Sequence, residues 1–197
     1  MRLFKNLSSS NKNIRLSGRR IFLRPPKESD WRGYVEVRSI SRDFLEPWEP
    51  TWSPDALSYE AFSRYLNRHS SEWRSQLGNS FFIFRNEDEA LLGGISLSNL
   101  RRGVSQCGTL GYWIGKPHSR KGYMTEALNL INCFCFDELM LHRVEAACLP
   151  HNQASKRLLV RSGFNQDGYA RKYMKINGKW HDHLLFSLLG EDYTRVS

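Results

Sequence analysis

Apolar residues recur in this chain at two spacings, every second position in some stretches and every third or fourth in others. "RRIFLRP" alternates and is stopped by Pro25 and Pro26, which makes it a first strand. "ESDWRGYVEVRSI" opens on two cap candidates, Ser29 and Asp30, and reads as a short helix. "SRDFLEPWEPTWSPD" is rich in Pro and Trp and reads as a loop. In "LSYEAFSRYLNRHSSEW", Phe62, Tyr65, Leu66, His69 and Trp73 fall at three- and four-residue steps, a second helix. "SFFIFR", "LLGGISLSNL" and "CGTLGYWIG" are three strands joined by polar turns, an antiparallel meander. Met124, Ala127, Leu128, Ile131, Phe134 and Cys135 make one apolar stripe of a helix over about residues 122–139. "HRVEAACL" is a strand, and "NQASKRLLVRSGF" is a short helix with Asn152 as its cap and Gly163 as its left-handed stop. "YARKYMKINGKWHDHLLFSLL" is two strands about Asn177-Gly178, a two-residue hairpin signature. The predicted order, β-α-α-β-β-β-α-β-α-β-β, is that of one mixed α/β domain.

Composition narrows the class without naming a chemistry. A chain of 197 residues can bury about 70% of its unfolded surface, and its 40% hydrophobic and 25% charged content is that of an ordinary globule. No run approaches the ~20 apolar residues of a membrane span, and the start has no apolar stretch of the length a secretory signal needs. Residues 1–13 read as a basic, disordered tail in preference to a mitochondrial presequence, with the domain over 14–197. Cys107, Cys133, Cys135 and Cys148 show no C-x-x-C pair or metal-finger spacing and read as buried free thiols of a cytoplasmic protein. The net charge of +9 is concentrated at the front. Residues 1–27 hold eight Lys or Arg and no acid, so the rest of the chain carries 21 basic against 20 acidic groups. Such a basic arm suits contact with RNA, and equally suits a solvated tail.

One stretch changes the picture. "GKPHSRKGYMTEAL" places Lys116, Arg120, Lys121 and Gly122 between a strand and a helix start. A helix N-terminus carries about half a positive charge and unpaired N–H donors, and Gly122 lets a ligand approach the backbone. These residues suit a diphosphate; they also suit a surface turn of solvated bases.

The strand, turn and helix resemble the acetyl-CoA pyrophosphate loop of the GNAT N-acetyltransferase superfamily, whose pattern is Q/R-x-x-G-x-G/A. That pattern falls on Pro117 to Gly122, with Pro117 in place of Gln/Arg and Arg120 in place of the first glycine. "LGYWIG" resembles the family's splayed strand, and "HNQASKRLLVRSGF" its N-x-x-S/A helix. From about residue 14 the whole chain resembles the ribosomal-protein-alanine N-acetyltransferase group (RimJ/RimL-like), through "FLEPWEPTW", "GYMTEAL", "HRVEA" and "GYARKYMKINGKWHDH".

The resemblance implies an α/β (α+β) fold, a single GNAT-like domain with a mixed, mostly antiparallel sheet flanked by helices and a central splayed strand. It implies direct transfer of acetyl from acetyl-CoA to a primary amine, most naturally the N-terminal α-amine of a ribosomal protein. Trp113 and Ile114 would supply backbone hydrogen bonds to the pantetheine arm and the carbonyl oxygen. Arg120, Lys121, Gly122, Tyr123, Met124 and Thr125 would hold the diphosphate, and Asn152 the pantetheine arm. Ser155, three residues on and near the same helix face, is the candidate acid for the leaving thiolate, with hydrogen bonding to sulfur as its other role. Glu46 and Glu49 are candidate bases in an acid-bearing loop with Asp43 and Asp55, while Trp48 and Trp52 wall the acceptor site or cover the core. His118 reads as a phosphate neighbour, and His181 and His183 as structural; no metal is called for. Two other functions stay open: acetylation of a small amine or antibiotic, and a weakly catalytic CoA- or RNA-binding assembly factor using the basic arm.

Overall fold

The computed structural model describes residues 14–194; the tail expected over residues 1–13 lies outside them. In chain order the strands are β1 (Leu16–Ser17), β2 (Ile21–Arg24), β3 (Asn79–Arg85), β4 (Leu91–Arg101), β5 (Cys107–Ile114), β6 (Arg143–Cys148), β7 (Asn165–Ile176) and β8 (Lys179–Leu189). The helices are α1 (Trp31–Ser39), α2 (Arg42–Leu45), α3 (Tyr59–Arg74), α4 (Tyr123–Cys133) and α5 (Gln153–Arg161). The strands form a single eight-stranded sheet in the order β1-β2-β3-β4-β5-β6-β8-β7. Every neighbouring pair is antiparallel except β5 and β6.

The strand over "RRIFLRP" does not alternate as expected: Ile21, Phe22 and Leu23 of β2 are buried in succession, as are Phe81 to Phe84 of β3, because a core lies on each face. Ile21, Leu23, Phe81 and Ile83 pack with Met124, Ala127, Leu128 and Ile131 of α4. The intervening Phe22, Phe82 and Phe84 pack with Tyr34 and Val37 of α1 and Phe62 of α3. A strand covered on both sides loses its alternation. Each fully buried side chain of this size contributes about 1.5–3 kcal/mol, so the helices are held by tertiary burial more than by propensity.

Several predicted elements take a different form. The Pro/Trp-rich loop contains α2 and a 3₁₀ turn at Glu46–Trp48, because Pro47 is compatible with a first helical turn. The helix expected to run to residue 139 is α-helical only to Cys133. It continues as a π turn over Phe134–Glu138 that buries Phe134, Cys135 and Phe136 in succession, a run outside the α-helical period. The second-last strand begins at Asn165 rather than near Tyr169, and the two-residue β1 was not predicted. The Asn177-Gly178 turn has both residues at positive φ, +41° and +79°, and Gly163 stops α5 at +88°, both as expected.

Three of the eight cations counted in the basic front are built into the fold. Arg15 lies 3.5 Å over the Phe22 ring, Arg20 pairs with Glu126, and Arg24 grips the buried Asp30 through both guanidinium nitrogens at 2.5 and 2.7 Å. Arg2, Lys5 and Lys12 lie outside the described residues.

The feature that makes a site is where β5 and β6 part. They pair in parallel from Cys107 with Arg143 to Leu110 with Ala146, and no further. Beyond that, Gly111–Ile114 stay with Ser96–Gly93 of β4, while Ala147 and Cys148 follow Leu185 and Leu184 of β8. One backbone edge of β5 is therefore left without a strand partner over four residues, the splay that the resemblance implied.

Candidate active site

The cationic turn lies at the head of this opening. Gly115 leads into a 3₁₀ turn, Lys116–His118, and Gly122 caps α4 with a φ of +81°. The positive φ is what calls for glycine here; a Cβ on Gly122 would also stand 3.1 Å from a guanidinium nitrogen of Arg20, a tight approach to the tip of a flexible side chain. Arg120, where the family pattern has glycine, also adopts a left-handed φ of +59°. The backbone path of the loop is thus preserved with a side chain that pays about 1–2 kcal/mol of local strain. Lys116, Arg120 and Lys121 are exposed and form no ion pair among the described residues.

Arg20 was not predicted here. Its backbone N–H and its Nε donate to the two oxygens of Glu126 at 2.8 and 3.0 Å, and its Nη1 donates to the Lys121 carbonyl at 3.0 Å. Glu126, in the first turn of α4, would otherwise oppose an incoming anion; pairing with Arg20 removes that opposition. Arg20 also lies over the Tyr123 ring, 5.0 Å from its centroid. Burial, then the neighbouring Arg85 and Lys121, hold the His118 imidazole below its usual pKa, and its Nδ1 is buried without a partner. Met124 turns its side chain into the core, leaving its main chain at the turn, while Thr125 is half-buried on the α4 face toward α5.

Below the turn, the two faces of β5 present different chemistry. Tyr112 and Ile114 pack with the α4 core and Trp113 with the α1/α3 core. The Tyr112 hydroxyl is 2.8 Å from the Ser155 Oγ at the start of α5. Burial holds the Tyr112 phenol far above its ordinary pKa, so it stays protonated. Cys148, at the end of β6, has its thiol raised by burial, with the neighbouring Ser155 and Lys156 opposing the shift. Asn152 caps α5 by accepting the Ser155 N–H at 3.0 Å, which fixes the serine's place at the opening.

On the opposite face, the Trp113 indole lies across Gly94, where a Cβ would meet its Nε1 at 2.6 Å. The Arg38 guanidinium sits 4.9 Å from the Trp113 ring centroid and 4.2 Å from that of Trp52. It donates to both oxygens of Glu49 at 3.2 and 2.5 Å, and the Trp52 Nε1 donates to the same carboxylate at 2.8 Å. Glu46 accepts from the Arg42 Nε at 2.7 Å, and Arg42 in turn lies 5.5 Å from the Trp52 ring centroid. The segment from Glu46 to Trp52 arches over the opening. Trp48 meets His151 beside the α5 cap at 5.5 Å between ring centroids, and the Glu49 carbonyl accepts the Asn177 N–H of the β7–β8 turn at 3.0 Å. The Ser41 hydroxyl accepts the Lys116 N–H at 2.9 Å and ties this side to the cationic turn. His183 is buried, with its Nδ1 3.0 Å from the His181 carbonyl. Among the described residues no group of His, Cys, Asp or Glu is arranged to hold a metal, and no helix is long and apolar enough to cross a membrane.

A glycine-capped helix start flanked by exposed cations, with an unpaired strand edge below it, fits an enzyme that carries an acyl group on a phosphorylated coenzyme to an acceptor. The family model of the acetyltransferase (GNAT) domain matches residues 20–165, and the chain belongs to that family. It is an acetyl-CoA-dependent N-acetyltransferase. Among its relatives, the probable N-acetyltransferase YjcK of Bacillus subtilis is 36% identical over 90% of this chain and 98% of its own. The [ribosomal protein uS5]-alanine N-acetyltransferase of Escherichia coli is 33% identical over 92% and 93%. Among solved structures, RimJ of Mycobacterium smegmatis in complex with CoA-disulfide superposes with a TM-score of 0.83 at 28% identity, over 87% of this chain and 83% of that one.

Proposed function

We propose that this enzyme acetylates the N-terminal α-amine of a protein, a ribosomal protein in the first instance, in the cytoplasm. The observation that supports this reading is the free edge of β5 at Gly111–Ile114, with the Gly122-capped helix start at its head and, on the other face, the Trp113 ring against Arg38, which lines a polar cavity. The relatives named for ribosomal-protein alanine support the choice of acceptor. Acetyl-CoA supplies an acyl group already activated as a thioester. The N–H groups of Tyr123, Met124 and Thr125, with Arg120 and Lys121, receive the coenzyme's diphosphate. The free backbone edge at Trp113 and Ile114, with Asn152, receives the pantetheine arm and polarises the carbonyl. Ser155, held by Tyr112, gives a hydrogen bond to the leaving sulfur.

The amine needs to be neutral when it attacks. An α-amine, with a pKa of about 7.7–8.0, reaches that form about 3 kcal/mol more readily than a lysine at about 10.4. Weak assistance is therefore enough, and Glu49 is the carboxylate placed to accept a proton through water. Glu46, paired with Arg42 next to Trp52, is the second candidate. Mass spectrometry of an N-terminal peptide panel, set against polyamines and aminoglycosides with acetyl-CoA present, tests the proposal. The expected product carries one acetyl group on the peptide α-amine. Acetylation of the small amines alone would overturn it.

A further inference from the structure

The acids of the 46–58 segment suggest an acceptor groove that attracts cations, yet the cavity they border has the opposite character. Its volume is about 450 Å³, between α1, this segment and α3. Arg38, Arg64 and Arg68 face a single lining carboxylate, Glu49, with Trp52, Tyr34 and Tyr65 as aromatic walls. The nearby acids are already matched. Glu49 is held by Arg38 and Trp52, and Asp55 by Arg64 and the Ser53 hydroxyl. Glu72 is 3.0 Å from His69 through one oxygen and 3.9 Å from Arg68 through the other, which leaves Arg68 the least compensated cation of the wall.

We infer that this cavity is a subsite for a carboxylate side chain of the acceptor polypeptide, carried within a few residues of the amine that is acetylated, with Arg64 and Arg68 as the residues that select it. The inference deepens the proposed function and rests on it. Arg64 and Arg68 are one turn apart on α3, and both side chains are 64% exposed. Surface ion pairs of that kind hold weakly, so Asp55 and Glu72 can yield to an incoming carboxylate that a guanidinium fork grips through two parallel bonds. The Tyr34 and Tyr65 phenols add donors, since burial keeps both protonated. Continuity with the reaction centre runs through Arg38, which lines the cavity and touches the Trp113 ring of β5. A chain whose first residue lies at the strand opening therefore passes Arg38 on its way into the cavity.

The same wall acts on the nucleophile. Cations close to an amine favour its neutral, reactive form, and they disfavour acceptors that carry several positive charges. Polyamines and aminoglycosides are thus poor matches for this cavity, while an acidic N-terminal segment is a good one.

The test uses peptides that share a first residue and carry Glu, or Gln in its place, at the second, third, fourth or fifth position. Their acetylation is followed with the full-length protein and with the Arg64→Gln/Arg68→Gln variant. At one or more positions the Glu peptide is expected to have a KM about tenfold lower than its Gln partner, with similar kcat. In the variant that ratio should fall to about twofold or less, while unchanged thermal melting and coenzyme affinity report an intact fold. Raising the salt concentration should shrink the wild-type ratio. Equal KM values for Glu and Gln peptides at every position, with both acetylated, would overturn this inference and leave the proposed function standing. A preference that survives in the variant would overturn the assignment to Arg64 and Arg68. Acetylation of no peptide at all would overturn the proposed function and the inference with it.

Discussion

Tyr112 and Ser155 form the contact on which the account of the leaving group turns. A buried phenol held far above its ordinary pKa is a poor source of protons and a dependable hydrogen-bond donor. Its hydroxyl shares a 2.8 Å hydrogen bond with the Ser155 Oγ in which either oxygen can donate, and with the tyrosine donating the serine's own proton is free to face the sulfur. Tyr112→Phe is therefore expected to lower kcat about five- to tenfold, with the KM for acetyl-CoA little changed, since a net hydrogen bond is worth about 1 kcal/mol. Steady-state kinetics check this, and an unchanged kcat would remove Tyr112 from the mechanism. Ser155 was legible through the family's helix motif; Tyr112 was not, because in "LGYWIG" an aromatic reads only as a good strand residue. Arg20 was missed for a related reason. Its partners, Glu126 and the Lys121 carbonyl, are about a hundred residues away, and a guanidinium bound into the fold has the same sequence signature as a solvated one. Glu46 and Glu49 were indistinguishable in sequence, and only the fold pairs one with Arg42 and the other with Arg38 and Trp52.

α5 joins a local signal to the site. Its cap, Asn152, accepts the Ser155 N–H, so one side chain both ends the preceding loop and sets the serine at the opening. Asn152→Ala should cost about 1 kcal/mol in denaturant unfolding and lower kcat/KM by more than that loss of stability accounts for. Unfolding that differs while kcat/KM stays equal would make Asn152 a cap and nothing else. Helices α3 and α4, the meander β3–β5 and the β7–β8 hairpin were readable because each carries a clean period or a specific turn. The failures follow from local exceptions to those periods. The π turn at Phe134–Glu138 departs from the α-helical spacing, β7 begins on the polar residues Asn165–Asp167, and α2 is too short to show a stripe.

Across the whole molecule, charge and topology decide what the elements do together. The sheet brings the end of β5 between α4 and α5 on one face and α1 and α3 on the other, so the proposed coenzyme and acceptor sites lie on its two faces. The splay of β5 was implied by resemblance, and the full strand order could not be read from spacing, since a period says which face is buried and nothing about which strand lies alongside. Likewise, the sequence shows an excess of acids in the 46–58 segment but not the arginines of α1 and α3 that neutralise them. The central claim is that the opening headed by Gly122 receives the coenzyme, and calorimetric titration of acetyl-CoA into the wild type and into Gly122→Val tests it most directly. A β-branched residue at a φ of +81°, with its Cβ 3.1 Å from Arg20, must disturb the turn. One binding event in the wild type, weakened at least about tenfold in a variant that still melts cooperatively, is the predicted result. No heat with the wild type, or coincident isotherms for two folded proteins, would contradict it.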